Sequence, residues 1–490
     1  MGQQAMRARI MTRDTESAGK KNILFVIPDE KKVYRDVHFK VGMLHHLPSL
    51  ALAILGAIAK KNGFVPTILD LTLHDAHAEV LREKIAALAP VYIGITCTTA
   101  TYFHALEIAR IIKASSPHTE ILIGGPHASS VVEETLMNPD FDYLFIGEAE
   151  KSFEQFLKGV PPEKIEGLAF RKGDGSFHVG PNTSFLKDLD DFPYPDYSLY
   201  DLSKYKLSKL HIEANPVVWL ETSRGCPFDC KICNKVVHGQ NFRAKSPERV
   251  LREMEYFSKQ GIKGFFIADD GFTSDMVRAE KICDGILERK IDIVWNCYNG
   301  IRVDRVDLNL LRKMKKAGCH RVSFGIDSGS QEVLNKSGKN VTLEQITKAV
   351  KMAKEAGMKV FGFFLFGFEN ETEETMRETI RFAKTLPLDI AKVGAIMPFP
   401  GSPLYTQYRS LGLIYPPGDY RRFNLHNSPK YVYRHPTLEG DVIEKYENEF
   451  YRSFYLDPGY LTRKFVSCLR NGTLLQTIRT ALSINWLAVC

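Results

Sequence analysis

Between Lys21 and Gly159 the apolar residues fall into short β-branched runs, separated by segments whose apolar positions recur at helical spacing. This alternation is the pattern of a doubly wound, Rossmann-like parallel α/β sheet. Strands are predicted at Ile23–Ile27, Pro66–Leu69, Tyr92–Thr96, Glu120–Ile123 and Tyr143–Ile146. Helices fall between them: Leu50 to Lys61 stops at Gly63, and Tyr102 to Ala114 stops at Ser115-Ser-Pro117. A second series comprises Val217–Glu221, Gly264–Ala268, Ile293–Asn296, Arg321–Ile326, Lys359–Phe366 and Lys392–Pro398, each separated from the next by room for a helix. Six such strands favour a parallel barrel or partial (β/α)6 barrel. Between the two series, Phe170 to Val179 alternates around Gly173-Asp-Gly175 as a hairpin does, and Leu186 to Pro195 is acidic and proline-rich, as linkers are. The expected order is an extension over 1–20, the first domain over 21–159, hairpin and linker over 160–212, the barrel over 213–403, and a mainly helical region over 404–490.

Composition narrows the class without naming it. The 490 residues are 44% hydrophobic and 25% charged, which excludes a largely disordered chain. A net charge of +7, from 65 basic and 58 acidic residues, is too small for this size to imply a nucleic-acid partner. Met1 to Lys21 has no apolar run before a small-residue cleavage site, so no secretory signal is read there. The longest apolar stretch, Leu47 to Ala59, contains Pro48 and is too short to span a bilayer. Outside one motif the cysteines are scattered without a pairing pattern, as expected of a protein in a reducing cytoplasm.

That motif is Ser223-Arg-Gly-Cys226-Pro-Phe-Asp-Cys230-Lys-Ile-Cys233-Asn, directly after the first barrel strand. C-x3-C-x2-C supplies three thiolates to a cubane of four irons and leaves one iron open for a ligand. With nine cysteines in the chain, chance gives on the order of 0.003 such patterns. A zinc site completed by a distant His or Cys uses the same residue types. In barrels of this kind functional groups occupy the carboxyl ends of strands, where this loop falls.

Other strand ends carry candidate ligands. Asp269 and Asp270 end the second barrel strand, Asn296 the third and Asp327 the fourth, with Lys339 twelve residues beyond it. Carboxylates there can accept from an ammonium group and a lysine can meet a carboxylate, although adjacent acids also serve as helix caps. In the first domain the strand ends read Thr96-Cys-Thr-Thr-Ala100, Gly124-Gly-Pro-His-Ala-Ser129 and Gly147-Glu-Ala-Glu150. Glycines there let backbone amides approach a ligand, and a tight strand-to-helix turn uses the same residues. No G-x-G-x-x-G follows the first strand, which disfavours a dinucleotide.

Together these motifs, in this order, resemble the cobalamin-binding radical S-adenosylmethionine (SAM) enzymes over roughly Asn22 to Tyr405. The resemblance implies that Cys226, Cys230 and Cys233 hold a [4Fe-4S] cluster. It implies SAM contacts from Phe228, Ile232, Asp269, Asp270, Asn296, Asp327, Lys339 and Met397. It also implies a cobalamin cradle of Thr98, Thr99, Gly124, Gly125, Pro126, His127, Gly147 and Glu148. Ala268-Asp-Asp-Gly-Phe-Thr273 replaces the Gly-Gly-Glu frequent in such barrels, and Ser323 to Ser330 resembles their ribose-contacting segment. Asp75-Ala-His77 looks like the cobalt-binding D-x-H of mutases, but Val80 stands where a glycine is needed and the motif follows the second strand. It is read as a decoy, with Asp75 capping the next helix. Phe361 to Gly367 is read as core packing.

The resemblance further implies radical formation from SAM and methyl donation from methylcobalamin, hence C-methylation of an apolar or polycyclic small molecule. Oxidative cyclisation without methyl transfer is the alternative, and a cofactor-binding sensor is a third reading. Methylthiolation is disfavoured, because Cys97 is the only cysteine of the first domain. A flavodoxin or ferredoxin is the expected electron donor. The C-terminal region is rich in tyrosine and phenylalanine, and from Gly459 to Cys490 it has no acid while Arg463, Lys464, Arg470 and Arg479 alternate with apolar residues. Such a helix suits either a membrane surface or its own barrel.

Overall fold

The structure is a computed structural model that describes residues 21–31, 46–182, 185–205, 207, 212, 214–415, 418–424 and 428–470. The expected extension over 1–20, and the basic and apolar residues after Arg470, lie outside the described residues.

The first sheet comprises β1 Lys21–Ile27, β2 Phe64–Asp70, β3 Tyr92–Thr96, β4 Glu120–Gly124, β5 Tyr143–Phe145, β6 Leu168–Arg171 and β7 Phe177–Val179. Its order is β2-β1-β3-β4-β5-β6-β7. The first five strands run parallel. Chain direction across the sheet reverses between β1 and β3, the place where such folds open a crevice for a ligand. The β6–β7 hairpin does not stand between the domains as the composition suggested: it pairs antiparallel onto β5 and extends the first sheet. Helix Leu50–Lys61 forms as expected, with Ser49 accepting from Leu52 N at its start. Helix His77–Leu88 corrects the sequence reading, because its N-cap is Ala76 and no side chain, Asp75 included, caps it.

Two short strands, β9 Ser223–Arg224 and β10 Arg243–Ala244, form an antiparallel ribbon that carries the cysteine loop. The second sheet contains β8 Val217–Leu220, β11 Gly264–Ile267, β12 Val294–Ile301, β13 Cys319–Asp327, β14 Lys359–Phe366 and β15 Ile390–Ala395, in the order β15-β14-β13-β12-β11-β8. All its pairings are parallel, and β15 does not close onto β8. The free edge of β15 is satisfied by side chains instead. On helix Gly440–Tyr455, the Tyr451 hydroxyl donates to Val393 O and accepts from Val393 N, and the Tyr455 hydroxyl does the same at Ala391. Tyrosines four apart on one helix face thus do for the edge what a seventh strand would do.

Hydrophobic residues of β8 and β11–β15 pack beneath the surrounding helices into one core, which Phe364, Phe366, Phe450 and Phe454 share. A second core joins the halves: Ile95, Ile123 and Ala128 of the first domain pack with Ile396, Met397, Tyr405 and Tyr420. The linker ties them further, since the Tyr205 hydroxyl donates to Asp70 at 2.9 Å, Tyr200 to Ser49 O at 2.9 Å and Tyr197 to Trp219 O at 2.5 Å.

Candidate active site

The cysteine loop leaves β8 at the carboxyl edge of the barrel and is held from four directions. Asp269 accepts from Thr222 N at 2.6 Å, Thr222 Oγ1 at 2.5 Å and Ser223 Oγ at 2.7 Å. Asp270 accepts from Gly225 N at 3.0 Å. Gly225 has φ +82°, and a Cβ there would lie 2.2 Å from Asn241 O, so the turn into Cys226 needs glycine. Lys231 N donates to Ser337 O and Lys231 O accepts from Leu404 N. Asn234 donates to Pro400 O at 2.6 Å and to Ser130 Oγ of the first domain at 3.0 Å.

Cys226 and Cys230 are half-buried and Cys233 is exposed. A hydrogen bond from Cys233 holds the Cys230 thiol below the usual thiol range, assisted by the charges of Lys339 and Arg302. Among the described residues no three His, Cys, Asp or Glu side chains converge as ligands of a single ion. A cubane distributes its thiolates over different irons, so a braced loop carrying three thiols that do not converge on one point fits the cluster.

Beside the loop, Asp327 ends β13 in the left-handed region, at φ +65°, and accepts from Lys339 Nζ at 2.6 Å. Arg302, at the true end of β12, donates to Lys339 O at 3.0 Å and to Asp304, and its guanidinium lies 3.7 Å from the Phe228 ring centre. The structure therefore gathers Phe228, Cys230, Asp327 and Lys339, and adds Arg302. The ammonium and carboxylate of Lys339 and Asp327 complement a zwitterionic amino-acid group.

Other expected SAM contacts fall elsewhere. Both oxygens of Asp269 are taken by the loop it braces, so its place is beneath the site. Asn296 does not end its strand: β12 runs on to Ile301, leaving Asn296 mid-strand and fully buried. Met397 is buried in the core between the halves, and Ile232 packs against that core.

At the carboxyl edge of the first sheet the loops after β3, β4 and β5 interlock. Cys97 N donates to Gly124 O, His127 N donates to Cys97 O, and Gly147 N donates to Ser129 Oγ. Gly125 has φ +108°, and a Cβ there would lie 2.6 Å from Cys97 O. Thr98 and Pro126 are exposed, with Gly124, Gly125 and Gly147 half-buried among them. The result is a floor of backbone with few side chains, which suits a large ring system.

Thr99 and His127 lie below that floor, with His127 Nδ1 3.3 Å from Thr99 Oγ1. The imidazole is fully buried between the rings of Tyr102 and Tyr420, and burial pulls it down to about 3, so it is neutral. Cys97 is buried and burial pushes its thiol up to about 12.

Glu148 departs from the expectation most clearly. Its side chain is fully buried and accepts from both terminal nitrogens of Arg243, at 2.9 and 2.6 Å, and from Leu186 N at 2.8 Å. Arg224, one step before Gly225, pairs with Glu148, Glu150 and Glu221. Glu148, expected to touch a cofactor, is instead part of a buried ion network that joins the first sheet to the cysteine ribbon. Arg224, Arg243 and Arg302 were not singled out from the sequence; only the adjacency of Arg224 to the cysteine motif marked one of them.

Residues 220–383 match the radical SAM superfamily and residues 39–157 match the B12 binding domain. An uncharacterized methyltransferase from Pyrococcus horikoshii is 32% identical over 448 residues, covering 90% of this chain and 94% of that protein. The chain belongs to the B12-dependent radical SAM family. An anaerobic magnesium-protoporphyrin IX monomethyl ester cyclase from Rubrivivax gelatinosus is 27% identical over 434 residues, covering 85% of this chain and 75% of that one. In fold, this B12-dependent radical SAM protein matches the radical SAM methyltransferase TsrM from Kitasatospora setae, solved with cobalamin and a [4Fe-4S] cluster bound. That match has a TM-score of 0.65 at 21% identity and covers 80% of this chain and 78% of the other. Membership makes the protein a radical SAM enzyme, with a [4Fe-4S] cluster, SAM and cobalamin as cofactors. The three-thiol loop, the Asp327–Lys339 pair and the glycine floor fit these three in turn.

Among the described residues no helix is long and apolar enough to cross a membrane. Two shallow clefts between helices Pro247–Lys259 and Met276–Glu288 hold none of the site residues.

Proposed function

We propose that this protein C-methylates an unactivated carbon of an apolar or polycyclic small molecule. The observation that carries this reading is the bond from Asn234, next to Cys233, to Ser130, which lies just beyond the Gly124–His127 loop. It sets the cysteine loop beside the glycine floor. When bound, the three cofactors supply a hydrogen-abstracting radical and a methyl group. The protein's part is holding and exclusion. Cys226, Cys230 and Cys233 hold the cluster. Asp327 and Lys339 exchange their mutual pair for the ammonium and carboxylate of SAM, and Phe228, backed by Arg302, walls the same space. Thr98, Gly124, Gly125, Pro126 and Gly147 bear the cobalamin face. Asp270 and Asp269 keep the loop in register.

Supply of electrons by a flavodoxin or ferredoxin in a reducing cytoplasm belongs to this reading, and the eight cysteines among the described residues, all free, support it. Contact with a membrane surface is supported by helix Pro458–Arg470, which exposes Leu461, Phe465, Val466 and Leu469 beside Arg463 and Lys464. Similarity to a cyclase favours one second reading, oxidative cyclisation without methyl transfer.

Anaerobic reconstitution with iron, sulfide, cobalamin and SAM, followed by assay of products with candidate substrates, separates the readings. Methylation yields 5′-deoxyadenosine together with S-adenosylhomocysteine. Deoxyadenosine without S-adenosylhomocysteine would replace the proposal with cyclisation.

A further inference from the structure

The inside of the barrel contains a buried cation that the site described above does not use. Along β13, Val322, Phe324 and Ile326 face the helices and join their core, so strand alternation turns Arg321 and Ser323 to the inner face. Arg321 is completely buried, and among the described residues its Nε and both terminal nitrogens have no hydrogen-bond acceptor. Ser323, the next inward residue, is also fully buried, and its hydroxyl too is unpartnered. The guanidinium is faced by rings instead: Phe361 at 4.3 Å, Tyr298 at 5.2 Å and Phe266 at 5.7 Å from their centres. Phe266 and Tyr298 stack on each other, and Trp219 meets both edge-on.

The direction of the side chain is readable from register. Arg321 sits opposite Asn296 on β12 and Lys359 on β14. Tyr298 and Phe361, whose rings it contacts, lie two residues further along those strands. The guanidinium therefore rises one layer toward the carboxyl ends, where the cysteine loop and the Asp327–Lys339 pair stand.

Ring faces attract a cation but accept few of its hydrogen bonds, and a buried guanidinium without an acceptor is costly to keep. Burial pulls Arg321 down to about 10, which leaves it protonated at neutral pH. Five guanidinium donors and a hydroxyl, all buried and unpartnered on the inner face of one strand and next to aromatic rings, suit an oxyanion with an apolar body attached.

We infer that Arg321 and Ser323 form an oxyanion subsite in the barrel: the substrate carries a carboxylate, phosphate or phosphonate that anchors there, while its apolar part lies against Trp219, Phe266, Tyr298 and Phe361. This rests on the proposed function and adds the substrate class. It assigns Phe361, which the aromatic run placed in the core, to the substrate wall.

The test compares 4-phenylbutyrate with 4-phenylbutanol by calorimetry on the full-length reconstituted enzyme, wild type against Arg321→Met, Arg321→Lys and Ser323→Ala. Wild type is expected to bind the carboxylate at least about tenfold more tightly than the alcohol, with the preference lost in Arg321→Met and partly kept in Arg321→Lys. Ser323→Ala is expected to weaken it about threefold. Thermal unfolding controls for folding: Arg321→Met removes an unpaired buried charge and is expected to be at least as stable as wild type without ligand. Equal binding of acid and alcohol by wild type, or a preference that survives in Arg321→Met, would overturn the subsite. So would an Arg321→Met variant that loses stability with no change in preference, because it would make the residue a structural staple. Deoxyadenosine formation by wild type without substrate is measured separately; its absence counts against the proposed function and leaves the anion preference to be judged on its own data.

Discussion

At the carboxyl edge of the first sheet the open positions are Thr98, Gly124, Gly125, Pro126 and Gly147, whereas the edge of the barrel carries Asp270, Arg302, Asp327 and Lys339. One mouth is bare backbone and the other is paired charge. On the proposed function the difference follows from what each mouth would receive. A corrin ring offers a broad face that is met by shape, and glycine lets the backbone itself be the surface. An amino-acid end offers two opposite charges a few bonds apart, which are met by side chains of opposite sign. Each mouth has its own support: hydrogen bonds among three loops in the first, and the aspartates and backbone clamps around the cysteine loop in the second.

If the mouths are distinct in this way, they are separable by substitution. Replacing Cys226, Cys230 or Cys233 by alanine is expected to abolish deoxyadenosine formation and iron binding while the cobalamin absorbance persists. A cysteine variant that still cleaves SAM would remove the cluster from the barrel mouth.

Two buried carboxylates predict opposite pH responses. Against the upward push of burial, the bond from His238 and the guanidinium groups of Arg243 and Arg224 hold Glu148 down to about 2, below an ordinary 4.5. Its contribution to stability is complete above pH 4.5 and is lost as the pH falls toward 2. Burial pushes Glu371 up to about 8, only partly offset by bonds from Gly367 N and Phe368 N. A raised acid reverses the sign: its folded form is favoured below pH 4.5 and loses stability as the pH rises toward 8. Unfolding midpoints against pH should show Glu148→Gln flattening the acid limb and Glu371→Gln flattening the neutral one, each by a few kcal/mol at most.

Gly125→Ala places a Cβ against Cys97 O at a positive φ and is expected to cost about 1–3 kcal/mol and to block cobalamin uptake. At Gly124 the nearest atoms to a Cβ are 3.7 Å away, so Gly124→Ala is expected to fold normally. Calorimetric unfolding and cobalamin titration of the pair test whether the floor is shaped by backbone alone. Lys339→Met should raise the dissociation constant for SAM about tenfold and leave cobalamin affinity unchanged. Parallel loss of both would contradict the separation.

The elements were legible wherever local pattern decides them. Tyr92–Thr96, Leu50–Lys61 and Lys359–Phe366 form with the bounds the apolar spacing predicts. The cysteine loop was legible because its ligands are neighbours in sequence. Long-range pairing was not. Nothing near Glu148 shows that Arg243, 95 residues away, will take its carboxylate. Asn296 was misplaced because β12 continues through Tyr298, Asn299 and Gly300, residues whose polarity reads as a strand end. Tyr451 and Tyr455 read as ordinary packing, since a hydroxyl that completes a sheet edge leaves no trace in a hydrophobic pattern.

The Glu148–Arg243–Arg224 network has a consequence for how such proteins are built. The two halves are not interchangeable cassettes. A chimera that joined this first half to a barrel lacking Arg224 and Arg243 would bury the carboxylates of Glu148 and Glu150 without a counterion. Recombination at the linker is therefore expected to succeed only with a barrel whose cysteine ribbon itself carries Arg224 and Arg243, so the partners of a buried carboxylate and not the change in composition decide which halves can be joined.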